Sequence, residues 1–160
     1  AKKVYLTVNT IEELTASSGS IVVSESVLKA TNLDVSSSSG ANLTIEVAAT
    51  NLISSTSSGS SSQIEANTTS VISTSSSGSS LNLSGETTSH ETSASSGSSI
   101  TAYKLVCKDV IAKVSSGASI SVYASSSIDG KASSGGGISF EGNPEKITKN
   151  TSSGGRVSPR

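Results

Sequence analysis

The chain has 160 residues and a mass of 15.9 kDa, room for one ordinary domain. Serine (43) and threonine (16) fill 59 of the positions, against three Tyr, one Phe and no Trp or Met, so a core of packed aromatics is excluded. Eleven basic and twelve acidic residues leave a net charge of −1, which supplies no surplus to neutralise phosphates and argues against a nucleic-acid partner. The chain carries no long apolar run and is not membrane-spanning. No signal peptide is legible in it.

A serine-rich composition by itself suggests disorder or a mucin-like stalk. The serines here are ordered in sequence, however. Ser-Ser-Gly recurs with its glycine at Gly19, Gly40, Gly59, Gly78, Gly97, Gly117, Gly135 and Gly154, in steps of 21, 19, 19, 19, 20, 18 and 19. A period near 20 is too short for paired-helix repeats and suits one coil of a β-solenoid. Three and five places after each glycine the predicted strands follow in order. They hold Val22 and Ser24, Leu43 and Ile45, Ser62 and Ile64, then Leu81 and Leu83. Ile100 and Ala102, Ile120 and Val122, and Ile138 and Phe140 complete the series. Polar residues such as Thr44, Gln63, Asn82, Thr101, Ser121 and Ser139 stand between them. This period of two describes a half-buried strand, one per coil.

A second corner emerges by counting back from the next glycine. Seven places before it stand Leu33, Leu52, Val71, His90, Val110, Ile128 and Ile147, each preceded by turn-forming pairs such as Thr31-Asn32, Thr50-Asn51 and Lys108-Asp109. Corner to next glycine is constant, so the length variation must be absorbed in the first half of each coil by a bulge or loop. Stacked coils, paired as parallel strands about 4.8 Å apart, would extend roughly 40 Å and share a column of aliphatics. The glycine is expected to supply the positive φ of a sharp corner, and Ser and Thr to lie mainly at corners and on outer faces, with the corners stacked into a hydroxyl ladder.

The opening Lys3-Val4-Tyr5-Leu6-Thr7-Val8, Ile11-Glu12-Glu13-Leu14 and Ala16-Ser17-Ser18-Gly19-Ser20, the repeated Ser-Ser-Gly coils, and Glu141-Gly142-Asn143-Pro144 before Ser152-Ser153-Gly154 carry a family resemblance. The chain resembles the putative auto-transporter adhesin, head GIN domain family, in the later, repeat-bearing part of its pattern. That resemblance implies a right-handed β-helix-like solenoid and a place on the bacterial surface or in the envelope. It brings no shared catalytic or binding motif. Because the family pattern usually begins with a further β-rich section, the first coil is expected to show an uncovered strand edge.

Each candidate site has a plain structural role beside a functional one. His90, the only histidine, falls in the inner column between Val71 and Val110 and reads as a structural residue, with Glu91 on the opposite face. Cys107, the only cysteine, shares a column with small residues and reads as a buried thiol without a disulfide. Glu25, Glu46 and Glu65 form an outward acidic edge that lacks the ligand count and Asp/Gly loops of a calcium site. Tyr103 and Tyr123 should lie outward on adjacent coils, either as a sugar or protein platform or, preferentially, as cross-coil stabilisation. Ile53, Ile72 and Ile111 face outward if the alternation holds, interrupted by Glu91, and inward if a local bulge intervenes. The Asn-X-Ser/Thr triplets at Asn42, Asn67, Asn82 and Asn150 are expected by chance at this hydroxyl content.

The expectation is therefore an all-β parallel solenoid of about eight coils over 1–160. Residues 1–16 would be a first strand or cap, 17–154 the repeats and 155–160 a tail. Its function is expected to be that of a non-enzymatic, extracellular or envelope adhesin-like module, with no catalytic residue, cofactor or metal. A surface glycan or a protein would be its ligand, and self-association through the solenoid edges is admitted. A structural or self-assembling spacer is the alternative. Ice binding and polysaccharide cleavage rank below it, because the outer columns form no uniform Thr rank and the acids form a ladder without basic partners.

Overall fold

The computed structural model describes residues 3–160, and among them it is built of strands without a helix. Residues 3–12 carry no strand. The first coils contain β1 (Glu13–Ala16), β2 (Ile21–Val23) and β3 (Leu28–Ser37). Four long strands follow: β4 (Asn42–Thr56), β5 (Ser61–Ser75), β6 (Ser80–Ala94) and β7 (Ser99–Val114). The last coils hold β8 (Ser119–Tyr123), β9 (Ser127–Ala132), β10 (Gly137–Glu141), β11 (Lys146–Thr151) and β12 (Arg156–Pro159). Every pairing is parallel, in the order β1-β3-β4-β5-β6-β7-β8-β10-β12 with β2, β9 and β11 completing the coils. The chain is a β-solenoid whose coils stack in sequence order.

The two inner columns read from the sequence are in register. Val22, Leu43, Ser62, Leu81, Ile100, Ile120 and Ile138 are successive partners on the first limb, and Val157 continues the row. Leu33, Leu52, Val71, His90, Val110, Ile128 and Ile147 are successive partners on the second. Leu43, Leu81, Ile100, Ile120, Leu33, Leu52 and Ile128 are fully buried, each burial contributing about 1.5–3 kcal/mol. The second corner shows as a gap in the ladder at Thr31 and Thr50, where two exposed residues in a row shift the phase of the alternation.

Length variation lies where the constant second half requires it. β7 carries one more residue than β6: Asn82 opposes Thr101 but Ser84 opposes Lys104, so Ala102 and Tyr103 form a bulge against Leu83. In the first coil and the last two, the first limb breaks off at residues 24–27, 124–126 and 142–145 before the second resumes.

The corners differ from expectation in one respect. Each Ser-Ser-Gly holds two consecutive residues at positive φ, the second serine at 46–55° and the glycine at 68–77°. The residue after the glycine returns its N–H to the first serine's carbonyl, as in Ser20 N to Ser17 O at 3.1 Å, which makes a type I′ turn. Each glycine N–H then donates to the left-handed serine's carbonyl one coil on, from Gly19 N to Ser39 O through Gly135 N to Ser153 O, at 3.0–3.1 Å. The turns are thus stitched to one another along the solenoid axis.

Serine and threonine are not confined to corners and outer faces. Ser37, Ser54, Thr56, Ser62, Ser73, Ser75 and Thr92 are buried in the middle coils. Ser54 alone among them has no partner for its hydroxyl; the others are hydrogen-bonded, with Ser37 Oγ 2.6 Å from Ser62 Oγ, Ser75 Oγ 2.9 Å from Ser79 Oγ, and Ser73 Oγ donating to Thr92 Oγ1 at 2.9 Å. Ser79 Oγ and Ser98 Oγ also reach the carbonyls of Thr56 and Ser75 in the preceding coil, at 2.8 and 2.7 Å, tying each turn to the limb below it.

Candidate binding face

The outward residues of the second limb form straight rows because that limb keeps its register through every coil. One row runs Asp34, Ile53, Ile72, Glu91, Ile111, Asp129. Ile53, Ile72 and Ile111 are 42, 43 and 42 % exposed, so the alternation places them outward and no bulge turns them in. Beside them, two residues nearer the Ser-Ser-Gly turn, lies a row of Ser36, Ser55, Thr74, Ser93, Lys113 and Lys131. Between Asp34 and Glu91 the face is therefore apolar and hydroxyl-bearing, and over its last coils it is ionic. There Lys113 Nζ meets Glu91 Oε1 at 2.9 Å and Lys131 Nζ lies 4.0 Å from Asp129 Oδ2. On the other flank, Asn51 Nδ2 donates to Asn32 Oδ1 at 2.8 Å and Ser127 Oγ to Asp109 Oδ1 at 2.6 Å, fixing the second corner.

Tyr103 and Tyr123 lie on the first limb, both half-buried. Tyr103 sits on the β7 bulge, and its ring carries the Arg160 guanidinium at 4.6 Å and the Lys104 ammonium at 5.8 Å. Arg160 is anchored in turn by Glu141, Nη1 to Oε1 at 3.1 Å, and Glu141 is the strand partner of Tyr123. The two tyrosines thus stand in a cluster that fastens the end of the chain to the last coils. Glu46 and Glu65 are direct strand partners and, like Glu25, are exposed.

The buried groups are chemically quiet. His90 is 2 % exposed, its Nε2 2.8 Å from Ser73 Oγ, and burial lowers its pKa to about 4, so the ring is neutral. Cys107 packs opposite Thr87 with its thiol 3.2 Å from the Asp109 carbonyl, and burial pushes it up to about 12. Among the described residues, no three His, Cys, Asp or Glu side chains gather as a metal site, and no helix is long and apolar enough to cross a membrane.

The sequence located the tyrosines and left the isoleucine row open between outward and inward, and two further features were not read from it. The row two places beyond the isoleucines, with Lys113 and Lys131 against Glu91 and Asp129, was accessible by the same counting from the constant corner. The Arg160–Tyr103 contact was not, because it spans three coils through a bulge.

An all-parallel β-solenoid with regular outward rows defines the class. The chain belongs to the family described as "Putative auto-transporter adhesin, head GIN domain", which it matches over residues 1–144. No curated protein matches the sequence. Among solved structures it is similar to a putative adhesin from Parabacteroides merdae, with a TM-score of 0.90 at 18 % identity, covering 93 % of this chain and 63 % of that one. It is also similar to a putative lipid binding protein from Parabacteroides distasonis, with a TM-score of 0.89 at 16 % identity, covering 93 % of this chain and 61 % of that one. The chain therefore spans about three fifths of the length of these relatives, and at such identities the likeness is one of fold.

Proposed function

We propose that this chain is a non-enzymatic binding module of the cell surface or envelope, and that it engages a surface glycan or protein through the outward face of its second limb. The observation that carries the reading is the pair Ile53 and Ile72, 42 and 43 % exposed on adjacent coils beside the hydroxyls of Ser55 and Thr74. Exposed β-branched side chains in register beside hydroxyl donors and acceptors suit an extended ligand that repeats along the solenoid axis. Membership of an adhesin family supports the surface location. Tyr103 and Tyr123 belong to the proposal as a flank, with the guanidinium on Tyr103 favouring stabilisation over direct contact.

The test is a multivalent display of the chain on an array of glycans, matrix proteins and lipids, since single contacts on such a face are weak. Lipids are included because one structural neighbour bears a lipid-binding name. Reproducible binding, reduced at least about tenfold in Ile53→Thr/Ile72→Thr and retained in Tyr103→Ala/Tyr123→Ala, supports the face; about tenfold corresponds to 1.4 kcal/mol. A blank array with a folded sample, or binding indifferent to the isoleucines, overturns it.

A further inference from the structure

The net charge of −1 conceals a division within the chain. Up to Gly97 there are eight acidic and three basic residues, a net of −5; beyond it, eight basic and four acidic, a net of +4. Because the coils stack in chain order, the later coils are the ones that attract an anion. On the second limb of those coils lies a groove of about 460 Å³, within the span of about 300–1,000 Å³ usual for ligand sites. It runs along the solenoid axis, across β6, β7, β9 and β11.

One wall is the outward row that continues the face: Ser93, Lys113, Lys131 and Asn150, successive strand partners about 4.8 Å apart. The other wall is made by the first serines of the turns, Ser115 and Ser133 among them. The residues between the walls, Ala94, Val114 and Ala132, are buried in the core and leave the space open. The ladder uses the backbone of the wall serines, Ser115 N–H donating to Ala94 O at 3.1 Å and Ser133 N–H to Val114 O at 3.0 Å, so their hydroxyls remain for a ligand. Among the described residues no carboxylate lines the groove. Glu91 and Asp129 stand on the far side of the lysines, in the isoleucine row. Lys113 meets Glu91 at 2.9 Å and Lys131 lies 4.0 Å from Asp129, but all four side chains are partly in water, where such pairs contribute little and exchange partners readily.

We propose that this groove binds the carboxylate or sulfate groups of an acidic polysaccharide lying along the solenoid axis. Lys113 and Lys131 are its anion contacts, and the wall hydroxyls and the Asn150 amide meet the sugar hydroxyls. The proposal rests on the reading of the second limb as the face that meets an extended ligand, and gives that ligand its chemical class. Two ammoniums on adjacent coils repel each other, and an anion lying across both relieves this. Hydroxyls and an amide both donate and accept hydrogen bonds, as a polyhydroxyl chain requires. A nucleic acid is not served by the same groove, because two ammoniums neutralise too few phosphates.

The test is binding of the multivalent chain to polygalacturonate against the same polymer fully methyl-esterified, and to dextran sulfate against dextran. It is run at about 0.01 M and about 1 M salt, where the screening lengths are about 30 Å and 3 Å. At low salt at least one charged polymer binds about tenfold or more above its neutral counterpart, and at high salt the preference disappears. Polygalacturonate alone assigns the groove to carboxylates, dextran sulfate alone to sulfate esters. Lys113→Gln/Lys131→Gln abolishes the preference while circular dichroism shows the fold kept, and Lys113→Arg/Lys131→Arg retains it. Equal binding of charged and neutral polymers, no binding of either charged polymer, or a preference that survives the glutamines overturns the proposal. If it falls in the first way and the common binding is lost in Ile53→Thr/Ile72→Thr, the face stands without the groove. Lysine-dependent binding that ignores those isoleucines keeps the groove and overturns the isoleucine contact.

Discussion

His90 interrupts a column of valines and isoleucines with an imidazole that has no charged partner, only the hydroxyl of Ser73 at 2.8 Å. The folded chain takes up the His90 proton at about pH 4, against 6.5 for an unburied ring. Between those values the unfolded chain binds more protons than the folded one, so stability falls as pH is lowered through that window, by about 3 kcal/mol at its full extent. Urea unfolding at a series of pH values should show this slope. His90→Val should remove it, because Val71 and Val110 are the neighbours in the column and Ser73 keeps Thr92. An unchanged slope in the variant would assign the acid sensitivity elsewhere. That His90 faces inward was legible from its place in the seven-before-glycine column. Its Ser73–Thr92 surroundings were not, since hydroxyl residues in the sequence read as outer-face ones.

At the scale of the element, the sequence marks the corners by glycine, and the structure distinguishes two uses of that residue. Gly78 sits at φ 68° with open space where a side chain would begin, so Gly78→Ala carries only the left-handed backbone penalty, about 1–2 kcal/mol. Gly85 is at φ 109° with the Ala66 carbonyl oxygen 2.1 Å from the place a Cβ would occupy, and backbone must move to admit it. Thermal unfolding should therefore show Gly85→Ala costing at least twice what Gly78→Ala costs; equal losses would mean that the coil yields easily at that point. The repeat period exposed the first kind of glycine, while the second lies inside a strand and has no periodic signal. The left-handed serines were hidden for a related reason: serine is not the residue that chain statistics associate with a type I′ turn, and only the eightfold recurrence of the turn shows that the position accepts it.

For the whole molecule, parallel stacking makes the coils nearly interchangeable units, each resting on its neighbours. Deleting residues 60–78 joins Gly59 to Ser79 and sets β6 on β4: Leu43 meets Leu81, Ile45 meets Leu83, and Ser54, whose buried hydroxyl has no partner, takes the place of Ser73 beside His90. The shortened chain should keep its far-ultraviolet spectrum and unfold cooperatively at lower denaturant, having lost one layer of buried aliphatics. Loss of cooperative unfolding would show that the coils are not independent in this sense. The architecture was legible from spacing alone, because every coil repeats the same turn and the same alternation. The setting of the isoleucines stayed open between outward and inward, and their exposure of 42–43 % decides for outward. The acidic excess up to Gly97 and the basic excess beyond it were countable in the sequence as well, since the repeat already predicts coils stacked in order.

The stitching between turns has a mechanical meaning. β1 and β12 stand at opposite ends of the sheet, and the bonds between coils point along the line joining them. Tension on the two ends pulls along those bonds and loads the outermost coil first, so the molecule peels instead of shearing. Each 19-residue coil that comes free pays out roughly 60 Å of extended chain. A molecule held between two surfaces in this way lengthens in steps under load, and the coils still stacked keep their outward rows intact.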